Sequence, residues 1–237
     1  MLQLDTTVAL SNIPFFLNSD QVFEQFRIKS GTDRAKEVED LVNKIHEIGN
    51  PKALYKVSFI DEKTADSVTI EGVKFISIAL RQNLDSVERV FPYIATCGTE
   101  MDELEIEKGD ILKKMMISYI KESFLQTSIQ YLMNHVQKQL RISKLASMNP
   151  GSGDATVWPI EQQKDVFSIL GDVERLIGVK LTTSSVLQPD MSLSGILFPT
   201  ETDFETCQLC HREKCPNRRA PFDQKLWESI NAESPGA

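Results

Sequence analysis

Residues 207–219 read CQLCHREKCPNRR, and three of the four cysteines in this 237-residue chain, Cys207, Cys210 and Cys215, fall within nine positions. Thiolates are ligands for soft and borderline metals, and close spacing lets one short loop supply several of them. Three do not complete the usual four-ligand set. His211 lies inside the run and could be the fourth ligand to zinc. Cys97, in YIATCG, is the other candidate if the fold brings it near. A four-iron cluster whose last iron takes a non-cysteine ligand is a third solution, and the Cys215-Pro216 step is like the Cys-Pro that ends bacterial ferredoxin runs. The spacing does not separate iron–sulfur from zinc, and three free thiols on a polar loop is the plain alternative. Asn217, Arg218 and Arg219 follow at once, and cations near the sulfurs would favour thiolate.

A second stretch, Asn149-Pro150-Gly151-Ser152-Gly153-Asp154, precedes a predicted helix. Backbone N–H groups of such a loop, with a helix start behind them, form a site for carboxylate or phosphate. A simple turn between two elements explains the same pattern. The stretch is not a Walker loop, because no Gly-Lys-Ser/Thr follows, nor a dinucleotide fingerprint, because the glycine spacing is wrong. There is no G-x-S-x-G elbow and no H-E-x-x-H for hydrolysis. His46 and His135 sit on predicted helices and read as structural.

These residues need a scaffold. SDQVFEQFRI and AKEVEDLVNKIHEIGNP have helical spacing, the first with a start signal at Ser19-Asp20, the second ending at Gly49-Asn50-Pro51. ALYKVSFI alternates as one strand, SVTIEGVKFIS as a hairpin about Glu71-Gly72, and SIALRQNL as a short helix. ERVFPYIATCG is a strand in which Pro92 implies an edge or a bulge. From Met101 to Leu140 the pattern is helical and proline-free; Met116, Ile120, Leu125, Ile129, Leu132, Val136 and Leu140 share one side, widened by Ile117, Phe124 and Tyr131. The part after Gly109 would span roughly 45 Å, and its apolar breadth predicts burial. Pro159 and Gly171 bracket a further helix. VKLTTSSVLQPDMSLSGILF reads as two strands joined at Pro189-Asp190. The tail QKLWESINAESPGA is expected to end in a helix and a mobile segment after Ser229. The fold class is α+β: a twisted, largely antiparallel sheet flanked by helices, with a long buried helix.

Composition sets outer limits. The hydrophobic fraction is 41% and the charged fraction 25%, ordinary for a globular chain that can bury a core. A net charge of −8 argues against a general nucleic-acid binder, which needs a basic face. The N-terminal residues lack a basic region and a sustained apolar run, so neither a signal peptide nor a membrane span is expected. The expected location is cytoplasmic, where clustered thiols more often hold metal than form disulfides.

The stretch from Asn149 to Phe198 resembles the reactivation domain of cobalamin-dependent methionine synthase, and most closely the free-standing bacterial proteins related to it. The residues that carry the likeness are Pro150-Gly151, the helix ending in Ile169-Leu170, Ile177-Gly178-Val179, Leu181-Thr182-x-Ser184 and Pro189-x-x-Ser192-x-Ser194-Gly195. IEGVKF and IATCG upstream also fit the free-standing relatives. The likeness is specific over about fifty residues and extends over most of the chain. It implies a domain at residues 1–200, followed by a cysteine-rich metal or cluster loop at 201–223 and a tail at 224–237. It also implies docking on a separate cobalamin domain, where inactive cob(II)alamin is reduced by an outside donor such as a reductant protein and remethylated from S-adenosylmethionine.

Two departures bear on that. The full-length enzymes carry an arginine, then Pro-x-Pro-Gly-Tyr, at the ligand loop. Ser147 and Ser152 stand at those two positions here. Losing a charge-assisted pair to a carboxylate costs about 1.5–3 kcal/mol, so S-adenosylmethionine is in doubt rather than implied. The cysteine ending is absent from the methionine synthase domain, though some free-standing relatives share a similar one. The resemblance therefore implies an accessory or reductive-reactivation module for a corrinoid methyltransferase, with an iron–sulfur cluster or zinc at the cysteine loop and cobalamin reached only through a partner. Residues 149–154 are the expected cofactor-binding set, and Cys207, Cys210, Cys215 and Cys97 the expected metal set. An electron-transfer protein without the methyl donor and a zinc-stapled scaffold remain open beside it.

Overall fold

The computed structural model describes residues 6–104, 106–153, 156–215 and 218–232. The chain runs through β1 (Val8–Leu10), α1 (Ser19–Phe26), α2 (Asp33–Ile48), β2 (Lys52–Tyr55), β3 (Ser58–Lys63), β4 (Ser67–Ile70), β5 (Val73–Ile76), α3 (Ile78–Asn83) and β6 (Arg89–Thr96). The second half comprises α4 (Ile111–Leu140), β7 (Leu145–Met148), α5 (Gln163–Leu170), α6 (Val173–Ile177), β8 (Lys180–Leu181), β9 (Leu187–Gln188), β10 (Ser192–Pro199) and α7 (Gln224–Ala232). All strand pairs are antiparallel. The expected α+β class, with its antiparallel sheet, flanking helices and long helix, is the fold.

β6 is the centre of the eight-stranded sheet. β10 pairs along one side of it and carries β7 beyond. The other side is shared: β2 takes the Tyr93–Thr96 end and β3 takes Arg89 and Val90. Pro92 therefore lies in the innermost strand, which corrects its reading as an edge. The reason is local. The Pro92 carbonyl accepts from Lys56 N–H at 3.1 Å, where one partner strand has ended and the next has not begun. A residue's N–H and C=O point to the same side of a strand, so the donor that proline lacks faces this interruption. The same joint splits ALYKVSFI, read as one strand, into β2 and β3.

Alternation along β6 fills two cores. Val90 and Ile94 face Leu54, Trp158, Val166, Ile196 and Phe198, under α3, α5, α6 and α7. Phe91, Tyr93 and Ala95 face Ala53, Tyr55, Leu132, Val136 and Leu197, under the second half of α4. The first half of α4 packs Met116, Ile120 and Phe124 on α1 and α2. The helix is buried on one side only: Tyr131, expected within the stripe, is exposed, as are Ile111 and Met115. α1 begins one residue earlier than its sequence signal, at an Asn18 cap. The Glu71-Gly72 turn has positive φ at both positions, 49° and 76°, as a tight hairpin requires. The 179–198 region has three strands rather than two: β8 and β9 form a small hairpin, and β10 joins the main sheet. α7 passes Ser229 and continues to Ala232; the remainder of the expected mobile tail lies outside the described residues.

Candidate functional site

β7 ends at Met148, and the chain turns immediately through Asn149–Ser152, with Ser152 N–H donating to the Asn149 carbonyl at 3.1 Å. Asn149 is buried. Its Nδ2 donates to the Tyr93 hydroxyl at 2.7 Å and to the Ser194 carbonyl at 2.8 Å, joining β6 and β10 under the loop. Gly195 makes room for this: a Cβ there would overlap Asn149 Nδ2 and the Met148 carbonyl. Gly151 N–H donates to the carbonyl of buried Trp158 at 2.9 Å. So the loop 149–153 is built on a buried, fully bonded base. The helix start expected behind it is not part of it, because Val157 and Trp158 take the chain through the core first and α5 begins only at Gln163. Asp154, the last residue of the expected set, lies outside the described residues.

The cysteine run stands directly beside that loop. Thr206–Leu209 forms one 3-10 turn, anchored by Leu209, which is buried in the same core as the strands. Thr206 Oγ1 donates to the Ser147 carbonyl at 3.3 Å. The Arg218 side chain holds the rest. Its guanidinium donates to the carbonyls of Cys207 (3.2 Å), Cys210 (2.9 Å), Ala220 (2.9 Å) and Arg212. Arg218 was expected to act on the sulfurs; it reads backbone oxygens instead. Arg219 brings its backbone N–H to within 3.5 Å of Cys207 Sγ and pairs its guanidinium with Glu205 at 3.2 Å.

Between the two loops is a cleft of about 460 Å³, within the range of small-molecule sites. Asn149, Gly151, Ser152 and Gly153 form one wall, and Cys207, Cys210, Cys215, Arg212 and Arg219 another. Tyr93, Leu193, Leu125, Ile129 and Glu122 line the remainder. Ser147 and Ser152, the positions where the resembled enzymes carry arginine and tyrosine, both open on it. Burial pushes the Tyr93 hydroxyl above the ordinary tyrosine range, opposed by hydrogen bonds from Asn149 and Ser147 and by the charge of Arg219. Asn149 donates to that oxygen, so the Tyr93 O–H remains available as a donor.

The structure thus brings together two stretches that sequence reasoning proposed separately. It does not bring Cys97 to them. Cys97 is fully buried among Met101, Met116 and Ile120 on the α4 side, with Sγ turned to the Gly98 carbonyl at 3.4 Å. Burial pushes its thiol up to about 12. The His211 ring packs against Phe222 and Trp227, with centroids 4.3 and 4.5 Å away, and is not part of the cleft lining. The other three cysteines are unpaired and half-exposed. Their donor chemistry suits a thiophilic ion, but among the described residues no three His, Cys, Asp or Glu side chains stand close enough together to ligate one. Tyr93, Glu122 and Arg212 were missed. Tyr93 could have been found, since its polar tip interrupts an otherwise apolar buried strand; the other two needed the fold.

No protein-family model matches the chain, and no curated protein does. Among solved structures it is similar to the MetH reactivation domain bound to AdoHcy, with a TM-score of 0.58 and 14% identity over 86% of this chain and 81% of that one. The likeness is one of fold. No helix among the described residues is long and apolar enough to cross a membrane.

Proposed function

We propose that this chain is an accessory or reductive-reactivation module for a corrinoid-dependent methyltransferase of the methionine synthase type, docking on a separate cobalamin-bearing protein. The observation that carries the reading is the fold shared with a MetH reactivation domain along 86% of the chain. The cleft supports it, because the wall that resembles the family's ligand loop and the cysteine wall face one space. Cys207, Cys210 and Cys215 would hold an iron–sulfur cluster or zinc, which would have to draw the thiols together on binding. A cluster would supply low-potential electrons. The chain's own contribution is to fix the loop 149–153 through Asn149, to hold the cysteine loop through Arg218, and to place both beside the docking partner. S-adenosylmethionine is not assigned: Ser147 stands where the resembled enzymes carry arginine, and the cations that line the cleft among the described residues, Arg212 and Arg219, belong to the cysteine wall.

A docking module can shift a partner's cobalt equilibrium only through differential affinity for its states. The test is binding to a cobalamin-loaded methyltransferase domain, measured with the cobalt as cob(II)alamin and as methylcobalamin. The expected result is tighter binding to the inactive cob(II) state. Equal affinity for both states would overturn the reactivation role, even if the two proteins bind.

The cysteine loop's single buried apolar anchor, Leu209, favours a second reading, in which a metal staples that loop without electron transfer. Metal and acid-labile sulfide content after purification without oxygen separates the two. Iron with sulfide supports the reactivation reading, and zinc alone supports the staple.

A further inference from the structure

Two of the three cysteines that line the cleft are the ends of one tight turn. Cys210 N–H donates to the Cys207 carbonyl at 3.2 Å, closing the 3-10 turn at Thr206–Leu209. A bond between residues i and i+3 holds their Cα atoms within about 7 Å, which is the span that a disulfide bridges. The Arg218 guanidinium braces both ends of the turn, with the Cys207 carbonyl at 3.2 Å and the Cys210 carbonyl at 2.9 Å. Both cysteines are half-exposed and open on the same cleft. The residue that faces Cys210 is Gly153, which sets no side chain against it; a Cβ there would stand 3.5 Å from the Cys210 Cβ. Cys215 lies outside the turn, and its carbonyl accepts from Arg218 N–H at 3.2 Å. Cys97 is buried on the α4 side. Among the described residues the thiols do not converge on a metal ion. The arrangement they do have is that of one pair and one bystander.

We propose that Cys207 and Cys210 are a reversible dithiol–disulfide site that exchanges with a small-molecule disulfide entering the cleft, while Cys215 stays outside the pair. A cleft of about 460 Å³ is of small-molecule size. The exchange needs no other reactant. One thiolate of the pair attacks a sulfur of the small disulfide, forming a mixed disulfide and releasing the first small thiolate. The second protein thiolate then attacks the protein sulfur of that mixed disulfide and releases the other half. Two protein thiols give up two electrons and two protons, and the small disulfide leaves as two thiols. The inference does not rest on the corrinoid reading; a disulfide and a metal would compete for the same sulfurs. The bond would also add a covalent tie to a loop whose one buried apolar anchor is Leu209.

The test uses full-length protein, reduced with a phosphine, freed of the phosphine and kept in chelator. It is equilibrated without oxygen at pH 8 in mercaptoethanol containing a small fraction of hydroxyethyl disulfide, so that mixed disulfides stay sparse. Acid quenching, alkylation and peptide mass analysis then identify the bonds formed. The expected result is a fall from the four free thiols of the reduced chain to two, with Cys207 joined to Cys210. Cys97→Ser and Cys215→Ser should leave that bond unchanged, whereas Cys207→Ser and Cys210→Ser should stay reduced at the same poise. Closure should be about tenfold more favourable in the folded chain than in urea, because the turn holds the pair together only when folded. A bond from Cys215 to either partner, or a chain that stays fully reduced, overturns the proposal. Equal closure in urea overturns it too, since the pairing would then belong to the sequence spacing and not to the turn. Each of these failures leaves the affinity test of the corrinoid reading unaffected.

Discussion

The two walls of the cleft are held by opposite means. The loop 149–153 rests on a buried base: the Asn149 amide ties two strands, Gly195 admits it, and the Trp158 carbonyl takes the Gly151 N–H. The cysteine loop has one buried apolar anchor, Leu209, and is otherwise gathered around the Arg218 guanidinium. The first wall cannot change without disturbing the sheet. The second can, because apart from the Thr206 bond to the Ser147 carbonyl the side-chain hydrogen bonds described for it lie near the surface and within residues 205–220. A rigid wall facing an adaptable one suits a site whose ligand must draw one side inwards.

The largest effect should come from the first wall. Gly195→Ala sets a methyl group against backbone and should lower stability by about 3 kcal/mol in urea unfolding. An unchanged midpoint would mean that β7 and β10 are not packed as described. Asn149→Ala should cost about 2 kcal/mol, because the Ser194 carbonyl and Tyr93 hydroxyl each lose a buried partner. Arg218→Ala should cost less than about 1 kcal/mol of global stability, yet raise amide exchange in 206–215 by about tenfold. Equal loss of protection throughout the chain would erase the contrast between the walls. The smallest effect at neutral pH concerns the thiols. Alkylation of native apoprotein at pH 8 should modify Cys207, Cys210 and Cys215 and spare Cys97, with a fourth adduct only after unfolding.

Cys97 also gives a pH dependence of fixed sign. Its thiol titrates near 9 in the unfolded chain and near 12 in the folded one. Between those values the unfolded chain has released a proton that the folded chain keeps, so stability falls as pH rises from about 9 towards 12. Tyr55 and Tyr93, both pushed up by burial, add in the same direction. Cys97→Ala should flatten the early part of that fall; an unaltered alkaline profile would mean that Cys97 is not buried.

Features fixed by local periodicity were legible in the sequence. α2, the β4–β5 hairpin and the part of the long helix after Gly109 stand where apolar spacing and the Glu71-Gly72 turn put them, since neighbouring residues decide them; the helical stretch expected from Met101 begins only at Ile111, after a separate 3-10 turn at Glu100–Glu103. Pro92 misled because its environment is set by Lys56, far away in the chain, at a joint between strands that no window around the proline contains. Cys97 is ambiguous from sequence for a similar reason: a cysteine at a strand end can face core or solvent, and here the alternation continues it inwards. The two chemically suggestive stretches were recognisable by composition. That they form one cleft was not, because β10 and β7 bring them together across some sixty residues.

The order of elements has a consequence for biosynthesis. The cysteine wall and α7 follow β10, the last strand of the main sheet, along the chain. Domains can begin to fold from the N-terminal side during synthesis. The rigid wall, the core under α4 and most of the other core under β6 can therefore be in place before Cys207 leaves the ribosome, and Leu209 and Ile230 complete that second core afterwards. Any modification of these thiols would then be a separate late event, acting on a nearly finished body, so that a chain left unmodified there would still be folded over most of its length.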